Sequence, residues 1–204
     1  MLAGRKSSCA LVEDVRRRTA DWPHEAVSLG YPGAVGPDGP EAEPGNLGDG
    51  WVGFDFAEAF GRPVRVVNDA AMQALGAYTG GRMLFLGLGT GLGSALVTDR
   101  VVIPLELGTL PYGRRQTWAD RLGRRGLKRY GEAAWLTTVT RVVEHVREAM
   151  KADYVVLGGG NAKRVRPLPP HTRRGGNEDA FAGGFRLWEE EVDPHRYHTE
   201  AAWR

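Results

Sequence analysis

Along the first third of the chain the apolar positions change period several times. Within 10–19, Leu11, Val12 and Val15 share one helical face with charges opposite, and Trp22-Pro23 ends that segment. Ala26 to Leu29 is apolar and β-prone and runs into GYPG, which predicts a buried strand ending in a glycine turn at 30–33. The stretch 34–50 is rich in Gly, Pro and Asp and predicts mostly loop. Val52 to Phe60 predicts a short amphipathic helix, with Phe56 and Phe60 four apart and Gly61 and Pro63 as its stop. Val64 to Val67 predicts the next strand. After Asn68-Asp69 comes a predicted helix from Ala70 to Tyr78, with Met72 and Leu75 inward, and Gly80-Gly81 closes this half.

The second half opens on a fully apolar strand, Met83 to Leu88, then GTGLG, then Ser94 to Val97. Asp99-Arg100 separates that run from the β-branched Val101 to Ile103, a hairpin signal. Leu105 to Gly113 predicts loop, and an Arg-rich segment follows. Ala133 to Met150 carries Leu136, Val139, Val143, Val146 and Met150 at spacings of three and four, the clearest helix in the chain. Tyr154 to Leu157 predicts a strand entering GGGNAK. A Pro-rich loop then leads to a last helix with Phe181, Phe185, Trp188 and Val192 on one face, and the polar, His-containing tail from Pro194, outside the described residues, is expected to fray. Strands alternating with helices, plus one hairpin, predict an α/β fold with mixed sheets.

Composition narrows the class. A chain of 204 residues with 42% apolar and 25% charged residues builds one large domain or two small lobes, which excludes disordered and fibrous proteins. No apolar run approaches the ~18 residues of a membrane span, and the start lacks a long apolar stretch. The single cysteine, Cys9, has no partner for a disulfide or a thiolate metal site, so the expected compartment is the cytoplasm. With 27 basic against 25 acidic residues, a net charge of +2 gives no general drive toward nucleic acid or membrane. The local exception runs from Arg114 to Arg129, where Arg114, Arg115, Arg121, Arg124, Arg125, Lys128 and Arg129 face only Asp120. This is either a solvated face or a surface for an anionic partner such as a phosphate chain.

Three turns carry candidate chemistry. In Val66-Val67-Asn68-Asp69-Ala70-Ala71 a carboxylate stands at the C-terminal end of a strand, where ligands bind in open α/β sheets. Asp69 is there either a helix N-cap or a general base for a hydroxyl. LGLGTGLGSALV has glycines at 87, 89, 91 and 93, dense enough to bring backbone N–H groups against an anion. It has neither the spacing of a dinucleotide fingerprint nor the GK[ST] ending of a P-loop. VVLGGGNAKR, 155–164, is a second strand entering a glycine turn and could admit a nucleotide against bare backbone.

VVNDAAMQALG, LGLGTGLGSALV, IPLELG and VVLGGGNAK, in this order, resemble the ROK sugar-kinase family of the actin-like ATPase superfold, most nearly its polyphosphate-glucokinase-like members. The resemblance runs from about Val27 to Glu190. It implies two ribonuclease-H-like lobes closing over a hexose: 1–80 the remainder of the N-terminal lobe, 81–177 the C-terminal lobe, 178–192 a helix packing back toward the first lobe, and 193–204 a tail. Carried over by position, Asp69 matches the catalytic base and Asn68 a sugar contact. Asn46, in EPGNLGDGW, resembles the sugar-binding Asn loop, and Glu106 matches the carboxylate that holds sugar hydroxyls. Gly89, Thr90 and Gly91 match the second phosphate turn, and Gly158, Gly159 and Gly160 the adenosine-side turn.

The implied reaction is in-line attack of a sugar hydroxyl on a terminal phosphoryl group of ATP or polyphosphate, with Asp69 taking the proton and Mg²⁺ offsetting phosphate charge. A hexose, glucose first, and the phosphoryl donor are the expected partners; neither nucleic acid nor membrane is, and a homodimer is compatible. The sequence departs from the family at two places. Thr109 stands where many members have His, and with Cys9 as the only cysteine no zinc loop is expected. Nothing in Met1 to Ser28 matches the family's DxGGT turn, so the N-terminal lobe is expected to be incomplete. The competing readings are an inactive or truncated relative acting as a sugar-binding or regulatory protein, and a nicotinamide-binding oxidoreductase suggested only by glycine density.

Overall fold

A computed structural model describes residues 7–45, 47–189 and 192. The described residues up to Asp69 form one compact unit, and those from Ala70 onward form another.

The first unit begins with α1 (Ser8–Arg18), capped by the Ser7 hydroxyl, which accepts from the Ala10 amide at 3.4 Å. Strand β1 (Val27–Tyr31) pairs in parallel with β4 (Val64–Asn68), Val27 opposite Val64 and Tyr31 opposite Asn68. The strand therefore does not end at a turn beginning with Gly30, as the GYPG sequence predicts. Tyr31 is fully buried and donates its hydroxyl to the Ala42 carbonyl at 2.7 Å, which draws the chain two residues further along the sheet. The Gly/Pro-rich stretch is also not all loop: β2 (Val35–Gly36) and β3 (Gly39–Pro40) form a small antiparallel hairpin, with Gly39 at φ +111°.

The helix predicted over 52–60 is only α2 (Phe56–Phe60). Gly50 and Gly53 take positive φ before it, and Asp55 starts it by accepting from the Glu58 amide at 2.8 Å. Gly61, at φ +64°, ends it in the left-handed conformation that a side chain resists. Trp51 packs between Tyr31 and Phe56, with ring centroids 5.6 and 6.2 Å away, and with Val12 and Val35 these form the core of this unit.

Helix α3 (Asp69–Ala77) leads into the second unit. Its sheet has the order β7-β6-β5-β8-β9: β5 (Met83–Leu88), β6 (Leu92–Thr98) and β7 (Val101–Leu105) form an antiparallel meander, then β8 (Tyr154–Gly158) and β9 (Thr172–Arg174) add in parallel. Three antiparallel strands followed by two parallel ones on the far side is the ribonuclease-H-like order. β5 keeps its predicted ends while β6, β7 and β8 outrun theirs, and β9 lies within a stretch whose prolines predict loop. Asp99 and Arg100 turn the hairpin at φ 48° and 61°, as the sequence predicts. Pro104 falls on the edge strand β7, where a missing amide hydrogen is tolerated.

The Arg-rich segment folds into two short helices, α4 (Trp118–Leu122) and α5 (Arg124–Tyr130), before the long α6 (Glu132–Ala149). Leu84, Leu86 and Leu88 on β5 and Val155 and Leu157 on β8 share a core with Trp135, Val139, Val143 and Val146 of α6. The opposite face meets α3, where a Cβ on Gly93 would lie 2.9 Å from that of Ala70. Burial on both faces explains why β5 reads as an unbroken apolar run.

The last helix, α7 (Glu178–Arg186), does not bury its phenylalanines. Phe181 and Phe185 are 74% and 81% exposed, while Gly183, Leu187 and Val192 turn inward. Backbone approach sets this rotation. A Cβ on Gly183 would stand 1.8 Å from the Met72 carbonyl oxygen, and one on Gly76 1.8 Å from that of Asp179, so the two helices meet glycine to backbone. Arg186 then donates to the carbonyls of Leu75, Gly76 and Tyr78, capping the end of α3.

Candidate functional site

The strand–glycine-turn sequences put bare backbone at two strand ends, and the sheet order makes these ends neighbours. β5 and β8 are adjacent and parallel, with Gly87 opposite Gly158. The turn after β5 holds Gly89, Thr90 and Gly91; the turn after β8 holds Gly158, Gly159 and Gly160. Asn161 joins them: its amide donates to the Leu88 carbonyl at 3.0 Å and its side-chain Nδ2 to the Gly89 carbonyl at 3.3 Å. Gly159, at φ +77°, sits so near that a Cβ there would lie 2.8 Å from the Leu88 backbone. A side chain at this position is excluded both by conformation and by space.

The Gly89–Gly91 turn is supported from its other side by the start of α5. The Arg124 amide donates to the Gly89 carbonyl at 3.0 Å, and a Cβ on Gly123 would meet the Thr90 carbonyl oxygen at 2.6 Å.

Glu106 follows β7 and opens a single 3-10 turn, Leu107–Thr109. Ser94 of β6 holds it from both flanks: the buried hydroxyl donates to the Leu105 carbonyl at 2.7 Å and accepts from the Leu107 amide at 3.2 Å. Thr109 closes the turn by donating its hydroxyl to the Glu106 carbonyl at 2.7 Å. Gly108 allows the turn to press on β6, since its Cβ would be 2.8 Å from the Leu92 carbonyl oxygen. Glu106 thus stands on a backbone pinned to β6, the strand that leaves the Gly89–Gly91 turn.

Asn68 and Asp69 belong to the first unit. Asn68 ends β4 and donates its side-chain amide to the Gly33 carbonyl at 3.1 Å, binding the strand end to the turn after β1. Asp69 is the first residue of α3, one step before Ala70 packs on Gly93. Asn46 lies outside the described residues. The loop around it is gathered by Glu43, which sequence inspection passes over. Its carboxylate accepts from the Trp51 amide at 3.1 Å and the Val52 amide at 3.2 Å. Desolvation pushes the Glu43 carboxyl up, but the amides of Trp51, Val52 and Gly50 outweigh it and leave the group below its ordinary value.

Ser94, Asn161 and Glu43 are the supporting residues that motif reading misses. Ser94 was discoverable as a hydroxyl in an otherwise apolar strand, and Asn161 as the polar residue closing a glycine run. No local signal marks Glu43, whose partners are eight and nine residues away. The arginine segment divides as well. Arg121 is committed to packing, its guanidinium 3.6 Å from the Tyr130 ring centroid and 5.5 Å from that of Tyr112, with a hydrogen bond to the Thr138 hydroxyl at 3.3 Å.

Set beside known proteins, the chain is 29% identical over 155 residues to a polyphosphate glucokinase of Mycobacterium leprae, a match covering 68% of the chain and 47% of that protein. It spans about half the length of that curated relative. The inorganic polyphosphate/ATP-glucomannokinase of Arthrobacter sp. strain KM superposes with a TM-score of 0.68 at 25% identity, covering 86% of this chain and 79% of that one. A ROK family glucokinase of Streptomyces griseus, in complex with glucose and AMPPNP, superposes at 0.65 over 89% of this chain and 88% of its own, at 15% identity. The fold is that of the ROK sugar kinases. No protein-family model matches the chain. In sequence, the ROK resemblance is to the polyphosphate glucokinases, as the ordered motifs imply.

Among the described residues no group of three His, Cys, Asp or Glu side chains could hold a metal ion, and no helix is long and apolar enough to cross a membrane.

Proposed function

We propose that the chain transfers the terminal phosphoryl group of ATP or polyphosphate to a hydroxyl of a hexose, glucose first among them. The observation that carries this reading is the joining of the Gly89–Gly91 and Gly158–Gly160 turns, through Asn161 and Gly159, into one surface of bare backbone in a chain related to polyphosphate glucokinases. Such a surface lets N–H groups approach phosphate oxygens without interposed side chains. Asn46, Asn68 and Glu106 hold the sugar. Asp69 takes the proton from the attacking hydroxyl as its oxygen bonds to phosphorus and the bond to the leaving phosphate breaks. Mg²⁺, bound with the donor, offsets phosphate charge. Positioning and electrostatics supply most of the acceleration, so the pinned backbones around Glu106 and Gly89 matter as much as the reacting groups.

Phosphorus NMR of the chain with Mg²⁺ and glucose, run separately with ATP and with polyphosphate, tests this. Sugar phosphate forms from at least one donor, and Asp69→Asn abolishes its formation while glucose binding persists. Glucose binding without transfer from either donor would overturn the kinase reading in favour of a sugar-binding protein.

A further inference from the structure

Six cations on and beside α4 and α5 are exposed: Arg114, Arg115, Arg124, Arg125, Lys128 and Arg129, of which Arg129 also lies 5.5 Å from the Tyr130 ring centroid. We propose that they form a track for the part of a long polyphosphate chain lying beyond the group bound at Gly89–Gly91; this rests on reading that turn as a phosphate site. Two observations carry it.

The first is local frustration. On α5 the cations occupy two i,i+4 rows, Arg124 with Lys128 and Arg125 with Arg129, and like charges so placed repel. Arg124 and Arg125 also stand in the first turn, which has no acidic residue, against the sense of the helix dipole. Among the described residues the relief is slight. Arg125 lies 3.7 Å from Asp120, but this pair is solvent-exposed, and Arg114, Arg115, Arg124 and Lys128 have no ion pair. Asp120 is itself engaged by the amide and hydroxyl of Thr117, which with Arg125 hold its carboxyl below the ordinary value. A helix that breaks two local rules at once is explained by a ligand that repairs both, and a multivalent anion does so.

The second is continuity. The Arg124 amide is bonded to the Gly89 carbonyl, and Gly123 touches Thr90 through a contact that only glycine permits. The track therefore begins at the phosphate turn itself. Arg121, at its centre, is stacked on Tyr130 and acts as its foundation rather than as a phosphate contact. A nucleoside triphosphate ends within the turn, whereas a linear polyphosphate continues onto α5, so the cations set a preference for chain length.

The test measures binding without sugar or turnover, so its failure is separate from failure of the kinase reading. Long-chain polyphosphate of tens of units, tripolyphosphate and a single-stranded oligonucleotide are titrated against wild type, Arg124→Ser/Lys128→Ser and the charge-matched control Arg17→Ser/Arg18→Ser. Thermal unfolding confirms that each variant is folded. The track variant should lose about tenfold in long-chain affinity and about two units of the log–log salt slope, one per cation removed. Its tripolyphosphate affinity, and the long-chain affinity of the control, should move less than about threefold by the same accounting. Equal losses for long and short chains, no difference from the control, or no long-chain binding by wild type would each overturn the track. An oligonucleotide binding as tightly as polyphosphate would overturn it in favour of a nucleic-acid surface.

Discussion

Ser94→Ala is the sharpest probe of how the fold presents Glu106. The hydroxyl is buried, and it serves two backbone groups on either side of that carboxylate, 2.7 Å from the Leu105 carbonyl and 3.2 Å from the Leu107 amide. A net contribution of about 1 kcal/mol per hydrogen bond sets the lower part of the scale, and leaving the buried Leu107 N–H unsatisfied adds to it. A loss of about 2 kcal/mol is expected, which for a chain of this size lowers the melting temperature by roughly 4–8 °C. Denaturant unfolding reads the first quantity and a thermal scan the second. The functional consequence is separable. Freed from Ser94, Glu106 loses its position, so the KM for sugar should rise more than kcat falls. In a Glu106→Gln background the same change should keep its full effect on stability and add nothing to the loss of sugar affinity, because the coupling runs through the missing carboxylate. Stability within about 0.5 kcal/mol of wild type would refute the reasoning, since surface-like substitutions behave that way.

The joined glycine turns predict that Gly159→Ala destabilises the chain by about 2–4 kcal/mol, from its φ of +77° and the clash with Leu88, and weakens tripolyphosphate binding. Gly160→Ala, whose Cβ would meet nothing within 4 Å, is the control for stability and should change it by less than about 0.5 kcal/mol. Gly183→Ala should lower stability by about 3 kcal/mol or more through overpacking against Met72, whereas Phe181→Ser/Phe185→Ser should change it by less than about 1 kcal/mol; chemical unfolding of both distinguishes the observed rotation of α7 from the one its apolar spacing predicts. For Glu43 the folded value lies below the ordinary 4.5, so its contribution is complete above that pH and is lost as pH falls through the folded value. The gap in denaturant midpoint between wild type and Glu43→Gln should be open at neutral pH and narrow as the solution is acidified below the ordinary carboxylate value.

Much of this molecule is legible along the chain because local rules and the final structure agree. Met83 to Leu88, the Asp99-Arg100 turn and the periodic run ending at Met150 emerge as read, give or take a residue or two. In the strand and the helix the residues that set the local conformation also face the core, and in the turn the exposed Asp99 and Arg100 need satisfy only the local backbone. The glycine turns are legible for a related reason: backbone that must stay bare, or turn sharply, admits few residue types, so the constraint is written locally.

Elsewhere local signal and packing compete, and packing prevails. Phe181, Phe185, Trp188 and Val192 make a convincing stripe, yet the helix turns Gly183 inward because a glycine lets two backbones approach where a ring cannot. Val52 to Phe60 has helical spacing, but the Glu43 carboxylate claims the amides of Trp51 and Val52, and a helix cannot begin until Asp55 supplies a cap. Tyr31 extends β1 past a glycine because its hydroxyl finds a carbonyl eleven residues away. The sequence by itself determined the main strands and helices and the glycine turns between them, since these depend on period and on backbone freedom. Tertiary structure alone decided that the two glycine turns share one surface, that the Ser94 hydroxyl bonds the backbone on either side of Glu106, and that of the seven cations between 114 and 129 Arg121 stacks on Tyr130 while the other six are exposed. Those outcomes depend on hydrogen bonds and contacts between residues far apart in the chain, and no local pattern encodes the partner.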